Sequence, residues 1–399
     1  MSFKGILVGI LVLALVGVGG FYGWKFKKQR AAEAAEAKLY QADAFRADED
    51  YESAQRILHE LIAELSALPR PKQAEALVML AQVYEKQGKS EAVSIHERIL
   101  ADYPDTDAAA SSLLHLARMK EEKSPKEAEQ LYADLLSKRP DGAFAYAAQM
   151  GRNRILHRRG EIETVHANLL ALLEKLGEPE DEQLNNVRLD AYDLLSQIHN
   201  VWLFSPEIDP LSENYVIQPG DVLEAIAKKY NTTAWYLMKV NGLRSAAIRP
   251  RMTIKVPQPG GVNIVVDKSD LRLYLFRNDG TFLKWYRCGV GRIDYKTKEG
   301  EYVIGTKEQN PTWVSPQDGR RYKPGDEGYA LGEPGKTAYW MGLGLPTNPQ
   351  ARTGLGIHGT NEPETVGSKS SAGCIRLVHD DIAELFDLVP MYTKVTIRP

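Results

Sequence analysis

Gly356-Ile357-His358-Gly359-Thr360 and, ten residues on, Ser370-Ser371-Ala372-Gly373-Cys374-Ile375-Arg376 decide how this 399-residue chain is read. His358 and Cys374 lie sixteen positions apart, each beside a glycine, and Cys374 is one of only two cysteines. A rare thiol, an imidazole and a flexible backbone around both are the parts of a cysteine acyl-transfer site. The thiolate is the nucleophile, and a nearby base or a cationic imidazole raises its share at neutral pH. Glycines let backbone N–H groups approach a developing oxyanion. The competing reading is a cysteine that simply fills a core. Core strands do not usually carry glycine on both sides of such residues, and a pattern with five or six fixed points favours a site.

Working outward, residues 258–399 read as mostly β. Asn263–Asp267 and Leu271–Phe276 flank a Lys-Ser-Asp turn, and Asn278-Asp279-Gly280 reads as a hairpin turn. Trp285–Val290 and Tyr302–Gly305 continue the meander. A short helix, Asp380–Leu388, precedes a last strand, Lys394–Ile397. The segment 306–354 is rich in Gly and Pro, and reads as a long lid or binding loop carrying Trp313, Tyr329, Tyr339 and Trp340. Cys288 reads as a small strand residue.

His358-Gly359-Thr360 followed by Ser371-x-Gly373-Cys374-x-Arg376 resembles the L,D-transpeptidase (YkuD-type) catalytic domain, over about 140 residues. Lys298-Glu299-Gly300 departs from the Thr-Pro-Thr-Gly that members often carry, and Ala372 stands where some have a second histidine. The resemblance implies Cys374 as nucleophile. It implies His358 as general base or partner of the thiolate, and the Gly359 carbonyl as the group that orients the imidazole. Gly373 and Cys374 would supply oxyanion N–H groups, and Ser371 would bond within the site. Arg376 would pin the loop or meet a substrate carboxylate, or else point away as an anchor. Trp313, Tyr339 and Trp340 are the substrate-loop candidates. The implied reaction is attack on the carbonyl between an L-centre and a D-residue of a peptidoglycan stem tetrapeptide, with release of D-alanine. The thioester then passes to an amine: a diaminopimelate (a 3→3 cross-link) or a lipoprotein lysine (protein anchoring). Transfer to water would make an L,D-carboxypeptidase. A different class, an inert wall-binding scaffold, lacks a reason for the intact His358/Cys374 pair. No cofactor and no metal is implied.

Upstream, Tyr215–Val256 runs strand, Pro219-Gly220-Asp221 turn, helix, helix, strand. This βααβ segment, 215–257, resembles the LysM module, which implies binding to the glycan of peptidoglycan. Arg251 stands where that module commonly has Gly. Residues 201–214, with Ser205-Pro206 and Asp209-Pro210, break the helical pattern and read as a linker.

Residues 31–200 read as helical throughout. Residues 31–45 favour an exposed helix. Pro69, Pro104 and Pro140 fall 35 and 36 residues apart, and Gly88, Ser124 and Gly160 recur every 36. Ala81 and Ala117, then Ala92 and Ala128, repeat in phase. A helix-turn-helix unit of this period resembles tetratricopeptide repeats, and an irregular helical bundle is the rival. Stacked pairs would offer a concave face to a protein partner. The five histidines before residue 170 show no ligand spacing and read as ordinary helix residues. Glu161–Glu182 reads as an amphipathic stretch with a solvated acidic face.

The net charge of −3 gives no basic field for nucleic acid. Two cysteines cannot build a disulfide framework. Gly5–Trp24 is an uncharged run of twenty residues, long enough for a membrane helix, with Tyr22 and Trp24 at one end. An uncleaved anchor is expected over 1–30, with a cleaved signal peptide as the alternative. Lys25, Lys27, Lys28 and Arg30 would hold the following chain in the cytoplasm. The wall-directed modules require the opposite side, and they take precedence. The expected architecture is multidomain. A transmembrane helix (1–30) leads to an all-α repeat region (31–200) and a linker (201–214). A βααβ LysM-like module (215–257) and a mostly-β L,D-transpeptidase domain (258–399) follow. The expected setting is the bacterial envelope, with the C-terminal domains in the periplasm and a role in wall biogenesis and cell shape.

Overall fold

The computed structural model describes residues 26–258, 260–315 and 319–399. The apolar run Gly5–Trp24, read as a membrane anchor, lies outside the described residues. Among the described residues, no helix is long and apolar enough to cross a membrane. The chain divides into two compact units, with the boundary between Arg188 and Leu189.

The first unit is helical. Helix α1 covers 26–47. It is followed by α2 (Tyr51–Ala63), α3 (Arg70–Lys86), α4 (Glu91–Asp102) and α5 (Asp107–Lys120). Then come α6 (Pro125–Lys138), α7 (Ala143–Arg158), α8 (Ile162–Leu176) and α9 (Glu182–Phe204), of which the residues from Leu189 onward belong to the second unit. The repeat is real. Gly88 turns the chain inside the α3–α4 pair and Gly160 inside the α7–α8 pair, with φ of 68° and 80°, and Ala81, Ala92, Ala117 and Ala128 are wholly buried. Small residues there let the helix axes approach. Helix α1 is not the exposed helix expected over 31–45. Its Ala35, Leu39 and Ala42 are buried in the same core as Leu58, Leu61 and Leu77. Each such leucine contributes about 1.5–3 kcal/mol when fully withdrawn from water. Helix α8 buries Val165, Leu169, Leu172 and Leu176 and leaves its acidic residues outside, as its pattern predicted.

The second unit begins with the end of α9 and the βααβ element. Strands β1 (Ser212–Val216) and β2 (Thr253–Pro257) pair antiparallel around α10 (Leu223–Lys229) and α11 (Ala234–Val240). Asp221 closes the turn before α10 rather than capping the helix: its Oδ2 accepts from the Gln218 amide (2.7 Å) and the Tyr215 hydroxyl (2.9 Å). Arg251, standing in for the customary Gly, takes φ +70°.

The stretch read as a linker is held in place. Helix α9 runs on to Phe204, and the chain after it is gripped by the buried Lys255 ammonium. That group donates to the carbonyls of Trp202 (2.6 Å), Ser205 (2.8 Å) and Glu207 (2.7 Å), and pairs with Asp209 Oδ2 (2.5 Å). The βααβ element also shares one continuous core with the sheet that follows, from Leu223 and Leu237 to Ile264 and Leu388. Thr233 donates to the Asp387 carbonyl, and the Tyr236 hydroxyl to that of Leu203 (2.9 Å).

That sheet has the order β13-β11-β10-β7-β14-β3-β4-β5. In chain order its strands are β3 (Val262–Asp267), β4 (Arg272–Arg277), β5 (Phe282–Arg287) and β7 (Gly300–Gln309). They are followed by β10 (Tyr339–Gly344), β11 (Gly356–His358), β13 (Ile375–Arg376) and β14 (Lys394–Arg398). Short pairs lie outside it: β6 (Val290–Gly291) with β12 (Lys369–Ser371), and β8 (Trp313–Val314) with β9 (Arg321–Tyr322). Helix α12 (His379–Leu388) packs on the sheet through Ile382 and Leu385. The 306–354 segment is less of a loop than its glycines and prolines implied, because β7 runs to Gln309 and β10 opens at Tyr339.

At the far edge, the side chains of α9 meet the free backbone of β5. His199 Nδ1 donates to the Leu283 carbonyl (2.8 Å), and the Trp285 amide donates to Ser196 Oγ (3.2 Å). Arg272 pairs with Asp193 at 2.9 Å. An open edge strand would otherwise invite pairing with another chain.

Candidate active site

Strand alternation builds the cleft. In the β11–β13 register, Ile357 lies opposite Ile375 and His358 opposite Arg376; in the β10–β11 register, Trp340 lies opposite His358. The two isoleucines face the core, so Trp340, His358 and Arg376 form a row on the other face. The Trp340 and His358 rings lie 5.4 Å apart at 21°. Tyr339, one residue earlier, points the other way and packs on Phe386 and His379 of α12. It is therefore not a cleft residue, and it sits on a strand rather than in a loop.

Cys374 stands at the end of a tight turn between β12 and β13, half-buried. Gly373 makes the turn possible with φ +114°, a region that a side chain would strain. Ser371 ties the turn from within: its Oγ accepts from the Gly373 amide (3.1 Å) and donates to the Cys374 carbonyl (2.6 Å). The Gly373 N–H is thus engaged, which corrects its expected use as an oxyanion donor; of that pair, the Cys374 amide remains. Thr297 braces the turn from outside, donating to the Gly373 carbonyl and accepting from the Gly291 amide, each at 2.8 Å. Sequence reasoning passed over Thr297. Its signal was there, since Thr297 and Gly300 keep the ends of the four-residue segment whose middle departs.

Nδ1 of His358 lies 2.5 Å from the Gly359 carbonyl. A carbonyl only accepts, so Nδ1 carries the proton and Nε2 presents a lone pair. Gly359 has no room for a side chain, because a Cβ there would meet the Leu331 carbonyl at 2.8 Å. Burial, with help from the Arg376 charge, pushes the imidazole down to about 4 against the opposing Gly359 carbonyl. Burial also pushes the Cys374 thiol up, while a backbone contact from Gly356 and the Arg376 charge pull the other way. The resting pair is therefore thiol and neutral imidazole, an arrangement suited to general-base activation rather than a standing ion pair. Cys288 is also a free thiol; it is wholly buried in the core, and burial pushes it up to about 12.

Cys374, His358, Ser371 and Arg376 line one cleft of about 320 Å³ together with Trp313, Trp340, Glu308 and Leu331. Arg376 faces this cleft and pairs with Glu362 at 3.2 Å. Over the cleft, Trp313 and Tyr322 of the β8–β9 pair gather with Tyr329, Leu331, Ala338 and Trp340. The base of this flap is clamped where the Asn310 amide donates to the Ala338 carbonyl (2.7 Å), and the Ala338 amide donates to Asn310 Oδ1 (2.9 Å).

A thiol, an oriented neutral imidazole and a glycine turn beside an aromatic-walled cleft define a cysteine acyl transferase. Residues 261–397 match the model of the L,D-transpeptidase catalytic domain, 215–257 that of the LysM domain, and 75–106 that of the tetratricopeptide repeat. A protein of Bacillus licheniformis named "Putative L,D-transpeptidase YkuD" is 32% identical over 191 residues, which cover 46% of this chain and 98% of that protein. "Probable L,D-transpeptidase YcfS" of Escherichia coli is 32% identical over 226 residues, 50% of this chain and 66% of the other. A solved L,D-transpeptidase of Mycobacterium tuberculosis is 18% identical, covers 38% of this chain and 63% of its own, and has a TM-score of 0.28. The chain belongs to the L,D-transpeptidase family, and it is an L,D-transpeptidase.

Proposed function

We propose that this enzyme works on peptidoglycan in the cell envelope, with Cys374 as nucleophile and His358 as general base. The observation that carries the reading is the fixed tautomer of His358, whose Nδ1–H is held by Gly359 while Nε2 remains to take a proton. In the first half-reaction the Cys374 proton passes to Nε2 as sulfur bonds to the carbonyl carbon between an L-centre and a D-residue of a stem peptide. The carbonyl π pair moves to oxygen, where the Cys374 amide stabilises it. The C–N bond then breaks, Nε2 returns the proton to the departing D-alanine amine, and a thioester remains. In the second half an acceptor amine gives its proton to Nε2 and attacks the thioester. The thiol leaves with that proton, and a new amide is formed.

Trp313 and Trp340 wall the cleft in which the stem would lie, and Arg376 meets its carboxylate end. The βααβ element at 215–257 holds a glycan strand beside the cleft. The Gly5–Trp24 run anchors the chain in the inner membrane with the enzyme in the periplasm, and the helical repeats dock a protein partner.

Mass analysis of muropeptides after incubation with the purified protein tests the chemistry. Loss of terminal D-alanine with new 3→3 dimers, or with a lysine-linked peptide, supports transfer and names the acceptor. Tripeptides alone indicate water as the acceptor, and unchanged D-alanine release by Cys374→Ala sinks the mechanism. An alkaline phosphatase fused to the C-terminus tests the placement, since it is active only outside the cytoplasm.

A further inference from the structure

Three successive helices of the first unit bring two imidazoles and a carboxylate to one point. Glu85 ends α3, His96 lies in α4 and His115 in α5, so the three are 11 and 19 positions apart and show no ligand spacing along the chain. His96 Nε2 lies 2.9 Å from Glu85 Oε1, and His115 Nδ1 lies 2.9 Å from Oε2. One donor atom from each falls within 4.8 Å of the others. We propose that Glu85, His96 and His115 form a zinc-binding site that cross-links these three helices.

The chemistry of the donors fits. Zinc takes imidazole nitrogen and carboxylate oxygen at about 2.0–2.1 Å in tetrahedral array, which sets neighbouring donors about 3.3 Å apart. The two rings contact opposite oxygens of the carboxylate, so admitting the ion asks the Glu85 carboxylate to turn one oxygen inward and the donors, now within 4.8 Å of one another, to settle around it. A tetrahedral ion bound by one nitrogen of each ring also sets the ring centroids about 5.2 Å apart; here they stand at 5.3 Å.

A ligating imidazole must be neutral, with its lone pair inward and its N–H satisfied outward. Both outward nitrogens have partners that can accept: Ser112 Oγ lies 3.1 Å from His96 Nδ1, and the Gln82 amide 3.4 Å from His115 Nε2. Turning the Gln82 amide presents its oxygen to that nitrogen. His96 has no exposed side-chain surface, whereas Glu85 and His115 keep 22% and 21% of theirs, so an ion has a way in and a fourth position for water. Two nitrogens and one oxygen suit zinc and reject magnesium and calcium, which prefer oxygen alone.

The test uses the full chain carrying Cys374→Ala, so that the cleft thiol takes no metal. After EDTA treatment and dialysis, zinc is titrated by calorimetry, and cobalt(II) is followed by its visible absorption. One equivalent of zinc with a tetrahedral cobalt spectrum is expected, with no heat from magnesium. His115→Gln abolishes both signals. Ser112→Ala, which leaves the ligands and loosens one ring, weakens zinc binding by about 10-fold. Zinc at 100 times its dissociation constant raises the helical melting temperature by roughly 5–10 °C. Should His115→Gln fail to fold, Glu85→Gln keeps the hydrogen-bonding shape and removes the charge, and it must show the same loss. No zinc uptake, equal uptake by these variants, or equal binding of magnesium overturns the proposal.

Discussion

The two ends of the eight-stranded sheet are finished in opposite ways. At the far end, β5 is six residues long, and its outward backbone is met by His199 and Ser196 of α9. At the near end, β11 and β13 have three and two residues, and β13 is closed by a single bridge to Gly289. There Ile357 and Ile375 face the core, and the alternate side chains His358 and Arg376 are turned to the cleft. A covered edge gains packing and satisfied backbone groups. A short, uncovered end keeps room for a ligand at the expense of both. The comparison teaches that stability and chemistry draw on different ends of one sheet, so each should be removable without the other.

The largest effect is expected at the near end. Cys374→Ala should lower acyl transfer by at least about 10⁴-fold, because no other group can form the thioester. Its melting temperature should stay within about 2 °C of the parent, since the side chain is only half-buried. A large fall in melting temperature would break the separation. At the other extreme, Lys255→Met should cost about 3–5 kcal/mol in denaturant unfolding, because Asp209 would be left buried without its partner. The folded fraction should keep its turnover number.

The pH profile sharpens the near-end picture. His358 acts while neutral, and burial depresses it to about 4, so the acid limb of kcat/KM should have its midpoint near pH 4. The sign for stability is the same: the folded value lies below the ordinary 6.5, so stability is full above pH 6.5 and falls as pH drops towards 4. An acid limb between pH 6 and 7 would point to a solvated or ion-paired imidazole instead. The smallest effect belongs to His199→Ala. It should cost about 2 kcal/mol, from one lost hydrogen bond and the packing on Trp202, with KM and kcat unchanged. A selective loss of kcat would tie the far edge to the chemistry.

Much of this was legible in the chain. The hairpin at Asn278–Gly280, the last strand at Lys394–Ile397, and the helical pairs around Gly88 and Gly160 follow from local patterns and were read close to their observed places, whereas the parallel pairing of that strand with β3 was not read. The His358 and Cys374 motifs were legible for the same reason, because tight backbone geometry demands particular residues. What escaped reading depends on strand register or on distant contacts. Tyr339 and Trp340 differ only in parity along β10, and parity is invisible while the segment passes for a loop. The Gly373 amide looked available until the Ser371 hydroxyl was seen to take it. Pro206 and Pro210 made residues 201–214 read as a linker, yet a lysine some fifty positions later grips Trp202, Ser205, Glu207 and Asp209. Glu85, His96 and His115 come together only when three helices stack.

The grip of Lys255 on residues 202–209, with the core that the βααβ element shares with the sheet, makes the second unit a calliper. A hinged glycan grip would let one catalytic centre sweep over many stem peptides along a strand. Under the glycan-binding role proposed for this element, a fused grip would set a single span between the bound sugar and Cys374. The stem within reach would then follow from the polymer's own pitch measured against that span, and it is the packing of Leu223 and Leu237 against Ile264 and Leu388 that keeps the span constant.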